Sequence, residues 1–415
     1  MEKDMHLQSK HEQGIHGTFS PNKLTSVHRW YPYLEGFSAT FVRDITSRWA
    51  KGRVQTVYDP FGGTGTTVAV AAENGIRGLY SEINPFMQHV IETKTNVLRR
   101  IANDRKTIGS YLQSIANLAP QIERSLSDAQ EELSRTFPKK QYFTGRRLIE
   151  ILALRDAINE ISSTKDVKML GQLALASIGV PSSEMKRQAD LRYRTEREQL
   201  PSTYSVYQAF SEKSHQIAAD INPTFANWAE VFPANANAIE ISPFSGEVDF
   251  IVTSPPYLNG TNYFRNTKLE LWLAGYIKHE NQLSTLTQQA MIAGINNVSK
   301  ASRPSKSFDF VELVAEQLDK VAYDKRIPAL VRGYCSDTEL WLQNCIQMMR
   351  PGARIVIDIG DSCFAGVHVP TDEFIVAIAR NLGLHQLGTD VVRVRRSKDG
   401  SILKQVLLAF EKSTL

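Results

Sequence analysis

A strand-like run, Val54 to Tyr58, passes directly into Asp59-Pro60-Phe61-Gly62-Gly63-Thr64-Gly65-Thr66-Thr67. No other stretch limits the fold as much. Glycines at 62, 63 and 65 let the backbone turn tightly and approach a ligand with no Cβ in the way. The loop opens onto a helix N-terminus, which presents free N–H groups. The spacing predicts a helix of small residues over Thr66 to Glu73, closed by Asn74-Gly75 as a C-cap. A second strand, Ile76 to Ile83, carries Glu82 at its end, and Asn84-Pro85 starts another helix. This is a βαβ unit of a parallel sheet. A carboxylate at the end of its second strand can accept hydrogen bonds from both hydroxyls of a ribose. A Walker-type phosphate loop is excluded, because no Gly-Lys-Ser/Thr follows.

The chain of 415 residues is too long for one minimal domain. From about 100 to 225 its character changes. Leu112 to Glu132, Gly145 to Ile161 and Val167 to Ile178 show helical spacing of Leu, Ile and Ala, with charged residues between. The α/β pattern resumes at Trp228, and Val248 to Thr253 reads as a strand. Residues 259 to 310 are polar and expected to form a long loop with helical pieces. Leu340 to Met349 reads as a helix leading through Arg350-Pro351-Gly352 into a strand, Ala353 to Ile359. Phe374 to Leu382 is expected as a helix. The runs Val391 to Val394 and Leu403 to Phe410 straddle Lys398-Asp399-Gly400, a hairpin signal. The expected organisation is a flexible start over 1–24, an α/β domain from 25–99 and 226–415, and a largely helical insertion over 100–225.

Composition narrows the class. No apolar run approaches membrane-spanning length. Met1 to Gly17 is polar and lacks the apolar core of a secretion signal, so a cytoplasmic protein is expected. The three cysteines, Cys335, Cys345 and Cys363, have no metal-ligand spacing, which argues against a disulfide scaffold and a zinc ribbon. The net charge of +4 is mild, so any nucleic-acid footprint must be local.

The predicted strand Val248 to Thr253 ends in Ser254-Pro255-Pro256-Tyr257. Such a strand end can hold a flat, amino-bearing ring against the Tyr257 face. The Ser254 side chain and the Pro255 carbonyl are the candidate acceptors for the amino group. Consecutive prolines have no N–H to donate and stiffen the backbone, so Pro255 and Pro256 keep these acceptors aimed.

Together, the glycine loop and Ser-Pro-Pro-Tyr resemble the S-adenosylmethionine-dependent amino-methyltransferases of DNA. Val27-His28-Arg29-Trp30-Tyr31-Pro32-Tyr33 looks like that family's N-terminal cofactor-flanking motif, and Met349 to Ser362 like its later sheet segment. The resemblance covers roughly residues 25 to 95 and 230 to 412. It implies a class I methyltransferase fold, Rossmann-like, with a mostly parallel sheet and a terminal antiparallel hairpin. It implies S-adenosylmethionine as cofactor, with Asp59 near its ammonium, Phe61 beside its apolar parts, Gly62, Gly63, Gly65 and Thr66 beneath it, and Glu82 on the ribose. Asn235 or Asn237 would contact the adenine, where the family usually has an acidic residue. The catalytic set would be Ser254, Pro255, Pro256 and Tyr257, with no metal.

The serine points to the exocyclic N4 of cytosine, reached by flipping the base out of the duplex. Adenine-N6 methylation of DNA, guanine-N2 methylation of RNA and a non-catalytic nucleic-acid-binding module remain open. Cytosine carbon-5 chemistry is disfavoured, since no cysteine follows a proline. Double-stranded DNA is the implied partner, and a cognate restriction endonuclease is compatible with it. The densest basic segment, Lys186 to Arg197, suits phosphate contact, with Arg146-Arg147 and Lys139-Lys140 as weaker candidates. Asn259 to Arg265 would close over the flipped base. Target recognition is expected from the insertion together with residues 259 to 335.

Overall fold

Strands β1 (Thr56–Asp59) and β2 (Arg77–Ser81) lie side by side in parallel, connected by the helix Thr66–Glu73. That helix ends where the sequence signals it. Asn74 returns its Nδ2 to the Val70 carbonyl, and Gly75 takes a positive φ of 71°. The next helix, Pro85–Glu92, has Pro at its first position and Asn84 as N-cap, its side chain accepting from the Phe86 N–H. The computed structural model describes residues 18–33, 36–188, 190–258, 263–298, 308–396 and 400–414.

Five further strands complete the sheet: β3 (Val231–Asn235), β4 (Val248–Thr253), β5 (Met349–Gly360), β6 (Leu384–Arg396) and β7 (Ile402–Lys412). Their order across it is β6-β7-β5-β4-β1-β2-β3. Only β7 runs against the rest, antiparallel to both β5 and β6; the other neighbours pair in parallel. This is a class I methyltransferase fold, a mostly parallel sheet closed by an antiparallel hairpin. Because β1, β4 and β5 are parallel, Asp59, Thr253 and Gly360 end their strands along one edge, where open α/β sheets bind ligands.

Both faces of the sheet are covered. On one, Val57, Phe250, Val252 and Val356 pack with the helices Ala39–Trp49 and Thr66–Glu73. On the other, Tyr58, Ile251, Ile355 and Ile357 meet the helices Ile327–Met348 and Thr371–Asn381. A third core joins the helices of the insertion to Pro85–Glu92 and to Phe264, Leu269, Trp272 and Ile277. Residues 263–283 therefore belong with the helical body. Residues 309–348 belong under the sheet, so the stretch 259 to 335 is divided between two cores.

Other expectations shift in detail. Leu112 to Glu132 is two helices, Arg105–Leu118 and Leu126–Thr136, broken at Pro120. The helix expected at Leu340 begins at Ile327, and another, Asp309–Val321, precedes it. Residues 18–24 of the expected flexible start are folded onto the body of the protein. Phe19 is buried, and the Asn22 amide bridges the Phe37 carbonyl and the Ala39 N–H. Residues 1–17, Ala189, Asn259 to Asn262, residues 299–307 and Ser397 to Asp399, which include most of the predicted turn, lie outside the described residues. No described helix is long and apolar enough to cross a membrane.

Candidate active site

The ends of β1, β2 and β4 open into a cavity of about 410 Å³, within the usual range for small-molecule sites. The two sequence motifs meet there. The Thr253 hydroxyl at the end of β4 donates to Asp59 Oδ1 at the end of β1, 2.8 Å away and 194 residues apart in sequence. The Thr67 hydroxyl reaches the Val252 carbonyl at 3.3 Å. Asp59 also caps its own loop, accepting from the Phe61 N–H at 3.1 Å. Burial pushes its carboxyl up to about 6.

Glu82 ties the loop to the following helix. Its Oε2 accepts from the Gly63 N–H at 2.7 Å and its Oε1 from the Asn84 N–H at 2.8 Å. Each oxygen keeps a second lone pair. Burial raises this carboxyl to about 7. Two acids that burial holds near neutrality, on one cavity wall, are the kind of groups that mark functional sites. The loop itself is fixed from below. Lys94 is fully buried and donates from Nζ to the Thr64 carbonyl at 2.8 Å, and desolvation lowers its ammonium to about 7. Gly65, at φ +76°, leaves no room for a side chain, since a Cβ would meet Ile91 Cγ1 at 2.9 Å.

Of the residues singled out from sequence, Asp59, Phe61, Gly62, Gly63, Thr66, Glu82, Asn237, Ser254 and Pro256 line the cavity. Gly65 and Pro255 do not; Gly65 faces Ile91 instead. Asn235 is spent on structure, bonded to the Ser81 hydroxyl and the Glu240 carbonyl. Asn237 lines the wall while its Nδ2 donates to the Gln289 carbonyl at 2.8 Å. Tyr257 stands beside the cavity. Its ring lies over Gly360, where a Cβ would meet Cε2 at 3.1 Å. Its hydroxyl donates to Asp358 Oδ2 at 3.3 Å, and Gln405 Nε2 holds both Asp358 oxygens at 2.8 and 3.0 Å. Burial pushes Asp358 up to about 7.

Sequence reasoning did not find the opposite wall. Met291, Gly294, Asn296 and Asn297 close the cavity, with Arg326 at its rim. No spacing or motif marks this segment; only its packing against the helix Ile327–Met348 brings it there, where the Ile292 N–H is held by Asp337 at 2.8 Å. From the stretch expected to cover the site, Tyr263 and Phe264 line the cavity. Of the N-terminal aromatic motif, only Tyr33 does. His28, Trp30 and Tyr31 are buried, and Arg29 and Trp30 clamp Asp220 of the insertion.

Four cations of the basic segment have internal partners, while Arg197 stays exposed. Lys186 and Arg192 both bond Glu198, Arg187 pairs with the buried Glu270, and Arg194 donates to backbone carbonyls. Arg146 and Arg147 pair with Glu150 and Glu184. Among the described residues no group of three or more His, Cys, Asp or Glu could hold a metal ion.

No family model matches the chain. The type II methyltransferase M.BsoBI of Geobacillus stearothermophilus is 22% identical over 91% of this chain and 82% of its own length. M.AvaI of Anabaena variabilis is 22% identical over 89% and 81%, and M.MvaI of Kocuria varians 19% over 93% and 89%. Among solved structures, a SAM-dependent methyltransferase of Methanosarcina mazei aligns with 89% of this chain and 98% of its own. Its identity is 8% and its TM-score 0.32, too weak a likeness to weigh beside the strand order. The chain is thus similar over nearly its whole length to these type II methyltransferases, and its sheet has the strand order of a class I methyltransferase fold.

Proposed function

We propose that the protein transfers the methyl group of S-adenosylmethionine to the exocyclic N4 of cytosine in duplex DNA. The observation that carries this reading is the Thr253–Asp59 hydrogen bond, which locks the Ser-Pro-Pro-Tyr strand end to the glycine loop. Together with the relatedness to type II methyltransferases, it supports one cavity for both cofactor and target amine. When bound, S-adenosylmethionine supplies an activated methyl on a sulfonium, so no metal and no covalent enzyme intermediate are needed.

The residues present suit that group. Glu82 has lone pairs to accept the two ribose hydroxyls, and Asp59 offers a negative charge to an ammonium. Phe61 supplies apolar contact, and the glycine loop lets the backbone approach. The amine of cytosine is a poor nucleophile, because its lone pair is delocalised into the ring. Ser254 and the Pro255 carbonyl accept its two N–H groups and favour a pyramidal nitrogen. Tyr257, braced by Gly360 and Asp358, stacks on the flipped base. The helical body formed by the insertion and residues 263–283 supplies the recognition surface.

Incubating the protein with unmethylated DNA and S-adenosylmethionine, followed by mass spectrometry of the nucleosides, tests the reading. N4-methylcytosine is the expected product. N6-methyladenine would overturn the base assignment while keeping the mechanism. No modified base would overturn the DNA reading.

A further inference from the structure

Strand β6 is an edge of the sheet and runs parallel to β1, β4 and β5, so its C-terminal half emerges on the edge that carries Asp59 and Ser254. The last residue of β5, Gly360, pairs with Gln405 of β7, which pairs in turn with Arg393 of β6. Beyond that row, with only the Asp361 N–H on the Lys404 carbonyl and Cys363 against Ser401 beside it, the hairpin continues through Lys404↔Val394, Leu403↔Arg395 and Ile402↔Arg396. Three residue pairs extend it about 10 Å past the end of β5. Arg393, Arg395, Arg396 and Lys404 are all exposed there. None of the four pairs with a carboxylate among the described residues, and the described part of this extension contains no acid; Asp399 lies outside it. By contrast, four of the cations at 186–197, Lys186, Arg187, Arg192 and Arg194, are held by Glu198, Glu270 and carbonyls, and Arg197 alone stays exposed there without such a partner among the described residues.

The register also fixes which way these charges face. Asp358 and Gln405 bond to each other and so share the sheet face on which Tyr257 lies. Arg393 stands directly opposite Gln405, and Arg395 two residues further along the same face. Two strand spacings, about 10 Å, separate the Arg393 backbone from the Gly360 position touched by the Tyr257 ring. That distance corresponds to about three base-pair steps of rise along the DNA helix axis.

We propose that Arg393, Arg395, Arg396 and Lys404 make this end of the β6–β7 hairpin a phosphate-gripping arm that holds duplex DNA beside the base entering the site. This rests on the DNA reading above. The unpaired guanidiniums match a line of phosphates, while the outer edge of β6 leaves backbone N–H groups without a sheet partner. A purely protective role, in which charge keeps an edge strand from pairing with another chain, makes a different prediction.

The test uses the full chain and a mixed-sequence duplex, with binding measured across a salt series. Each phosphate contact contributes about 0.9 to the slope of log K against log salt. The triple variant R393Q/R395Q/R396Q is therefore expected to lose up to about 2.7 of the wild-type slope, with S-adenosylmethionine affinity and melting temperature unchanged. The lysine triple R393K/R395K/R396K should keep the slope. A glutamine triple with the wild-type slope overturns the arm alone. A wild-type protein that fails to bind duplex DNA overturns the DNA reading and the arm with it.

Discussion

Glu82→Gln alters the cavity with little change of shape. The carboxylate accepts from Gly63 and Asn84 through separate oxygens. A carboxamide has one oxygen, so one backbone N–H then faces an NH₂ donor, and the charge-assisted bond to one ribose hydroxyl is lost. A hydrogen bond to a charged group contributes about 1.5–3 kcal/mol, so cofactor affinity should fall about tenfold to a hundredfold. The pH dependence is the sharper measurement. Burial holds the free carboxyl at about 7, whereas hydroxyl donors favour its ionised form and lower its pKa in the complex. Binding then releases a proton below neutrality. Wild-type affinity should be flat above about pH 8 and weaken about tenfold by about pH 6; Asp59, near 6, adds its own loss only at lower pH. Calorimetry in two buffers of different ionisation enthalpy reads both affinity and proton release. The Gln variant should show weaker binding and no titration near 7. Wild-type affinity that is constant across neutrality, or a variant that binds as the wild type does, would refute the role of Glu82.

Tyr257→Ala should abolish methyl transfer while leaving cofactor affinity nearly intact, because in the proposed complex the ring contacts the base and not the cofactor; wild-type turnover would remove the stacking role. Gly65→Ala and Gly75→Ala both place alanine at positive φ, costing about 1–2 kcal/mol, but only Gly65 also meets Ile91. Denaturation midpoints should therefore fall further for Gly65→Ala, and equal losses would contradict the tight loop packing. Asp220→Ala leaves Arg29 and the Trp30 indole without their shared acceptor. Leaving the buried indole N–H and a half-buried guanidinium unpaired should cost about 2 kcal/mol in urea unfolding, and a change under half of that would dismiss the clamp. Lys94 sits near 7 in the folded protein and about 10.4 when unfolded. The unfolded chain thus binds more protons between those values, and stability should rise with pH across that window. Lys94→Met should flatten this rise, and an unchanged pH profile would show that Lys94 is not its source.

The parts legible in the sequence are those whose causes are local. Glycines 62, 63 and 65, the Asn74-Gly75 cap and Asn84-Pro85 set the loop and its two helices by steric freedom and short-range hydrogen bonds, and the helix Thr66–Glu73 has the bounds its spacing predicts. The β-prone run Val248–Thr253 and the helix Gly145–Ile161 were likewise legible, because side-chain periodicity needs no partner to be read. Chemistry-bearing residues could be named for the same reason: acid, serine and tyrosine stand at strand ends, and strand ends can be counted.

Tertiary structure decided everything that depends on which distant groups meet. The basic segment looked like a nucleic-acid surface until Arg187 found Glu270, 83 residues away, and Arg192 found Glu198. The arginines of β6 lay unremarked in a hairpin signal, and only the strand order brings them to the edge that holds Ser254. The wall from Met291 to Asn297 has no motif, and the shifted acidities of Asp59, Glu82 and Asp358 arise from burial that no residue carries in its own name. Charge is a property of a residue, but its solvation and its partner are properties of the fold. Those two decide whether a cation is a tether within the protein or a free hand for a ligand.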